Sequence, residues 1–346
     1  MSSGDDIYQG RWTVVRSSAR WFNDRVSTDV SVQGRHVEPP VVAADWALPT
    51  APDAEPGSEE FLRAAAHAGR LLPAVVHDAL VDFMDVPHRS GALLLTGVPV
   101  GQLPPTPAHP TAPAAKDHTS EFALLTVARR LGQPVGYEPE HGGDIVQNLV
   151  PVKGTESRQV STSSSAELMF HTEAAFHPHR PRYLLLLCLR GDPSAVTTLS
   201  SVHEALHAVP ADVRDVLFEP RFRTAVDESY LHGRANRLGA PMPVLSGDRT
   251  TPTMVFDEDL MVGTDDVADA ALRTLGAAVL AARTGVVLRA GDLLVVDNTV
   301  AVHGRTPFTP RFDGTDRWLQ RTFVVSDLRA SDADRHGRVI ATQFGG

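Results

Sequence analysis

Cysteine is almost missing from this chain: among 346 residues only Cys188 carries a thiol, which excludes an intramolecular disulfide. It sits in the run 184–189 (LLLLCL), so it reads as a buried packing residue. That run is also the longest strongly apolar one, far short of the ~20 residues that span a bilayer. The opening MSSGDDIYQG carries acids where an export signal carries bases, and the expectation is a cytoplasmic protein without a membrane partner. A basic surplus is missing too. Lys plus Arg is 32 against 42 Asp plus Glu, a net charge of -10, which leaves nothing to track a phosphate backbone and excludes nucleic acid as the expected partner. No internal repeat is present.

What remains is 42% hydrophobic and 21% charged, too apolar for disorder and long enough for a large core. About 150 residues per domain suggests two, yet β-rich domains often run to ~200–250 residues as one. The reading is a single elaborated domain over 1–346, with a mostly helical N-terminal extension (1–90) and a core (91–330). Residues 1–57 show no clear period. Helical spacing starts after Ser58, an N-cap candidate, and Pro73 divides the pattern into two helices. Residues 92–98 (ALLLTGV) read as a buried strand, the five prolines of 101–120 as a surface loop, and 121–131 as a helix. Short β-rich runs then follow, at 145–150, 183–189, 253–256, 286–288, 293–297 and 318–325, separated by Gly, Pro and Asp. That spacing predicts a β-sandwich or jelly roll, interrupted by one helix over 265–283 with Gly285 just past its end. The helix should pack on one face of the sheets.

The first chemical signal is His171-Thr172-Glu173. Two residues apart on an extended backbone, the imidazole and the carboxylate share a side. A distant histidine, best supplied by His303 beyond the strand 293–297, would complete a 2-His-1-carboxylate facial triad that leaves one side of an iron(II) ion open. In a chain with 15 histidines a lone His-x-Glu carries little weight, and His177 and His179 compete as ligands. His203 and His207, at i, i+4, read as a solvated helix face.

The second signal is 317–325 (RWLQRTFVV), where Arg317 and Arg321 share a face with Leu319, Phe323 and Val325. Buried guanidinium groups need anions, and a dicarboxylate and a substrate carboxylate would supply them through bidentate forks. A pair of salt-bridged edge arginines is the alternative. The third is 253–260 (TMVFDEDL): on an extended segment Asp257 and Asp259 face one side and would attract a cation, unless the run is a solvated turn.

Together, 171–173, 301–305 (AVHGR) and 317–321 make the chain resemble the clavaminate synthase-like iron(II)/2-oxoglutarate-dependent amino-acid oxygenases, nearest to their arginine hydroxylases, with asparagine oxygenase and the lysine hydroxylases as further relatives. The resemblance covers about 132–328. It implies a mainly β fold with flanking helices and a double-stranded β-helix (jelly-roll, cupin-like) core. It implies iron held by His171, Glu173 and His303, and the far carboxylate of 2-oxoglutarate held by Arg317 with Thr198 as helper. Arg321 would grip the substrate α-carboxylate near Ser161, and Asp257 and Asp259 would hold a guanidinium, which favours the pocket over the solvated turn. Because Glu173 is a carboxylate, no vacancy is left for a halide, and a halogenase is disfavoured. Glu140 replaces a glutamine of the arginine enzyme near the substrate, and 228–240 reads as a lid in which Asn236 and Arg237 diverge.

The expected reaction is hydroxylation, at C3 by resemblance, of a free L-amino acid with a basic side chain, using iron(II), 2-oxoglutarate and dioxygen, in specialised-metabolite (antibiotic) biosynthesis. Rivals are desaturation, a neutral substrate such as citrulline or asparagine, a zinc hydrolase on the same ligands, and a cupin that binds metal without turnover. Oligomeric state is not readable.

Overall fold

The run 184–189 lacks alternation because its strand, Tyr183–Arg190, is buried on both faces. Tyr183, Leu185, Leu187 and Leu189 lie in one core with Leu80, Phe83, Leu124 and Val127 of the helices; Leu184, Leu186 and Cys188 lie in another with Leu319 and Phe323. Each such leucine contributes about 1.5–3 kcal/mol by burial, so the central strand is held from both sides. The computed structural model describes residues 36–344 apart from 87, 113, 114 and 232. The reading of 1–35 therefore lies outside the described residues.

Tyr183–Arg190 sits within a nine-stranded sheet. Its order is Val41–Ala43, Ala92–Thr96, Leu293–Asp297, Tyr183–Arg190, Trp318–Val325, Gln133–Tyr137, Val339–Ile340 and Arg335–His336, with Gln147–Leu149 also paired to Trp318–Val325. A four-stranded antiparallel sheet, Thr284–Val287, Val196–Ser201, Ala301–Arg305 and Leu168–His171, lies across the second core, to which it gives Leu199 and Ala301. Two sheets closing on one core form the jelly roll. Among the described residues before 90, Val41–Ala43 belongs to the sheet edge, where it pairs parallel with Ala92–Thr96.

The local signals act as anticipated. Ser58 accepts the Phe61 N–H at 3.2 Å and caps Glu59–Ala68, and a second helix, Ala74–Asp85, begins after Pro73. Thr119–Leu131 packs on the large sheet, with ten of its residues buried. Asp265 caps Asp266–Ala281, whose Ala271, Leu275 and Val279 cover the outer side of the small sheet with Val202 and Val302. Gly285 is a correction: the helix ends at Ala281, and Gly285 lies inside Thr284–Val287 opposite Thr198, so it is no helix cap.

Candidate active site

Register places the two histidines. In the small sheet His303 pairs directly with His171, and their ring centroids are 4.3 Å apart. Gly304 permits this approach, since a Cβ there would lie 2.4 Å from the Leu168 carbonyl oxygen. Thr172 fastens the next residue, exchanging hydrogen bonds with Phe256 at 2.7 and 3.0 Å. Asn298 then binds the backbone of Glu173 on both sides: its Oδ1 accepts the Glu173 N–H at 2.8 Å and its Nδ2 donates to the Glu173 carbonyl at 3.1 Å. Directly after Glu173 the chain turns through Ala174 at φ +52°.

One ligand atom each from His171, Glu173 and His303 falls within 4.8 Å of the others, the one such group among the described residues. Nδ1 of His171 lies 2.8 Å from the Met169 carbonyl, which fixes the tautomer with Nε2 free. Nδ1 of His303 is buried without a partner, while its Nε2 faces Glu173 at 3.6 Å. Burial, then His171 and Arg321, holds the His303 imidazole well below its usual pKa, neutral and suited to a metal. Two imidazoles and a carboxylate on one side fit a 2-His-1-carboxylate iron(II) site. His177 and His179 do not join it. His177 is buried against Tyr137, its pKa lowered to about 3 by burial, and His179 pairs with Asp334 at 2.7 Å.

The three residues line a cavity of about 600 Å³. Arg317 and Arg321 both reach it, as the shared face predicts, but their surroundings differ. Arg317 is 8% exposed and has no ion pair among the described residues; burial lowers its pKa to about 10. Arg305, also cavity-lining, donates only to neutral oxygens of Ser163, Ala166 and Thr306. Arg321 is instead surrounded. It donates to Gln147 Oε1 at 3.0 Å, to Glu140 at 2.5 Å and to Glu173 at 3.4 Å. Burial works to lower its pKa, but Glu140 and Glu173 outweigh it and raise it. Glu140 is itself pushed up to about 7 by burial, against the pull of Arg321.

Ser161, Asp257 and Asp259 line the cavity as well. The aspartates do so from a turn and not from an extended segment: after an isolated bridge to His171, the Asp257 Oδ1 accepts the N–H groups of Asp259 and Leu260 at 3.0 and 2.8 Å. Asp257 is 8% exposed, and burial pushes its carboxyl up to about 6. Asp259 is raised by burial and then by Asp227, another cavity residue. Of the two neighbouring threonines, the structure brings Thr197 to the cavity and not Thr198, the residue expected to help hold the cosubstrate. Neighbours on a strand face opposite sides, and it is Thr197 that lines the cavity, its Oγ1 buried and unpartnered. In the segment expected to form a lid, Asn236 ties its side chain to both backbone groups of Val226, and Glu228 pairs with Arg158, also in the cavity lining, at 2.9 Å. Gln147, Asn298 and Thr197 escaped the sequence reading, and Arg305 entered it only within the motif 301–305, without a role.

Comparison with known proteins bears on this arrangement. The family model described as taurine catabolism dioxygenase TauD, TfdA family, matches residues 72–323. The L-asparagine oxygenase of Streptomyces coelicolor is 41% identical over 295 residues, 84% of this chain and 87% of its own. The L-lysine 3-hydroxylase of Catenulispora acidiphila is 39% identical, over 83% and 82%. Among solved structures, asparagine oxygenase in complex with Fe(II), 2S,3S-3-hydroxyasparagine and succinate superposes with a TM-score of 0.78 at 40% identity, covering 83% of this chain and 91% of that one. The non-heme iron oxygenase OrfP in complex with Fe, succinate and (3S)-hydroxy-L-Arg gives 0.76 at 34%, covering 82% and 92%.

Proposed function

The chain belongs to the TauD/TfdA family of dioxygenases, and from that premise we propose that it hydroxylates C3 of a free L-amino acid with a basic side chain, such as arginine, lysine or a close analogue. It is an iron(II)- and 2-oxoglutarate-dependent enzyme acting on free amino acids, like its relatives. When bound, iron(II) with 2-oxoglutarate and dioxygen supplies the oxidant for an unactivated C–H bond, and the cosubstrate leaves as succinate and carbon dioxide.

The residues divide the remaining work. His171, Glu173 and His303 hold the metal. Arg317, a buried cation without an anion of its own, takes the far carboxylate of 2-oxoglutarate through a planar fork, and Thr197 offers a hydroxyl beside it. Arg321 takes the substrate α-carboxylate, while Glu140 and Glu173 face the α-ammonium. Asp257 and Asp259 receive the cationic end. The lid over the cavity excludes water. The observation that carries the reading is the charge complement of one cavity: Arg317, a buried cation with no ion pair among the described residues, lines it together with the triad, the buried Asp257 and the half-buried Asp259.

A neutral amide substrate is the second reading. Asp257 Oδ1 is already occupied by two backbone N–H groups, and the carboxyl is raised to about 6 by burial, which favours a weaker partner than a guanidinium. Incubation with iron(II), 2-oxoglutarate and each proteinogenic amino acid, read by mass spectrometry, separates the two. Gain of one oxygen by arginine or lysine supports the proposal. Faster turnover of asparagine or glutamine overturns it, and loss of two hydrogens redirects it to desaturation. A lone buried thiol needs no oxidising compartment, and we place the enzyme in the cytoplasm, in specialised-metabolite biosynthesis. Among the described residues no helix is long and apolar enough to cross a membrane.

A further inference from the structure

The C-terminal strand Val339–Ile340 runs parallel to Gln133–Tyr137, and beyond it the Ala341 N–H donates to the Asp334 carbonyl at 2.7 Å. Gln343 reaches Glu138 at 3.3 Å. The chain is thus moored to the large sheet almost to Phe344. The Phe344 ring meets three others, all steeply inclined: Phe176 at 5.1 Å and 87°, His177 at 5.2 Å and 65°, and Tyr230 at 6.0 Å and 77°. Its carbonyl accepts the Arg234 guanidinium at 3.2 Å.

Those rings come from two different parts of the site. Phe176 and His177 follow the metal-ligand motif, and His177 is 1% exposed. Tyr230 ends the short turn Glu228–Tyr230 in the lid, and Arg234 lies further along it. Phe176 and Tyr230 line the cavity and meet each other edge-on at 4.9 Å. The other lid contact in the cavity lining, Arg158 with Glu228, joins exposed side chains and is weakened by water and salt. The edge-to-face contacts of the half-buried Phe344 with the half-buried Phe176 and the buried His177 and Tyr230 do not depend on charge and lack that weakness.

We propose that Phe344 is a positioning residue: it keys the lid, through Tyr230 and Arg234, onto the segment that carries Glu173, and so sets the wall against which the amino acid is held. This rests on the amino-acid oxygenase reading of the cavity. It assigns a role in substrate alignment to a residue that touches neither metal nor substrate.

The test compares the wild type with Phe344→Ala and Phe344→Tyr in the full chain. The three inclined ring contacts are lost in the alanine variant, so the KM for the amino acid should rise about three- to thirtyfold. The KM for 2-oxoglutarate should stay put, and more succinate should form per hydroxylated product. Hydrogen exchange of the backbone amides around Tyr230 and Leu231 should quicken by about the same factor without any substrate present. Phe344→Tyr should restore all three. Unchanged lid exchange and unchanged amino-acid KM would overturn the proposal; so would a parallel rise of both KM values with a lowered Tm, which marks general destabilisation. A wild type that oxidises no amino acid would sink the reading of the site, while lid exchange would still decide the role of Phe344.

Discussion

Arg317 and Arg321 stand four residues apart, reach the same cavity and are equally buried, yet their electrostatic balance is opposite. Around Arg321 two carboxylates and an amide oxygen are already in place, and its pKa is raised. Around Arg317 there is no carboxylate within ion-pair reach among the described residues; the acidic groups that act on it are the Cys188 thiol, which burial pushes up to about 12, and then Asp192, which forms no ion pair with it. A buried charge with no partner is costly, so one is retained where a ligand completes it. On the proposed reading, Arg317 receives an anion that arrives without company, and Arg321 a zwitterion whose ammonium faces the carboxylates already there.

The largest effect comes from the metal site, which lines the same cavity as both arginines. His303→Ala removes the ligand that register sets opposite His171, and turnover with every amino acid should fall below detection while circular dichroism stays native; retention of most activity would refute the triad. Next, Asp257→Asn tests the cationic end. A hydrogen bond to a charged group contributes ~1.5–3 kcal/mol, so a basic substrate should weaken by roughly tenfold to a hundredfold or more. Citrulline in place of arginine should lose affinity in the wild type and much less in the variant.

A smaller loss is expected at Asn298, 2% exposed and bonded to Glu173 and Pro181. Asn298→Ala should lower iron affinity by about tenfold or more, measured by metal titration, because the carboxylate ligand loses its backbone support. The smallest effect concerns Cys188. A thiol reagent at pH 8 should leave the folded protein unlabelled and modify it only in denaturant; rapid native labelling would show that the neutral wall beside Arg317 is absent.

Much of this contrast was legible in the residues. Alternation along 317–325 put both guanidinium groups on one face, and the two-residue spacing of His171 and Glu173 did the same for the ligands. The unbroken apolar run 184–189 announced a strand buried on both sides. What escaped depends on partners far along the chain. Asn298 and Gln147 are 125 and 174 residues from the groups they hold, and no local pattern carries that pairing. Choosing Thr197 over Thr198 needs the register against 301–305. The Asp257–Asp259 segment turns because its own backbone N–H groups find the Asp257 carboxylate, an alternative that composition left open. Gly285 suggested a helix stop, but strand pairing with Thr198 claimed it.

The central claim is that the two arginines serve different carboxylates, and paired kinetics of Arg317→Lys and Arg321→Lys test it most directly. Lysine keeps the charge and loses the planar fork, so each variant should raise one constant by about one to two decades. Arg317→Lys should raise the KM for 2-oxoglutarate and leave that for the amino acid within about twofold, and Arg321→Lys should do the reverse. If Arg317→Lys raises only the amino-acid constant, or both variants raise both constants together, the division of labour between the two arginines is wrong.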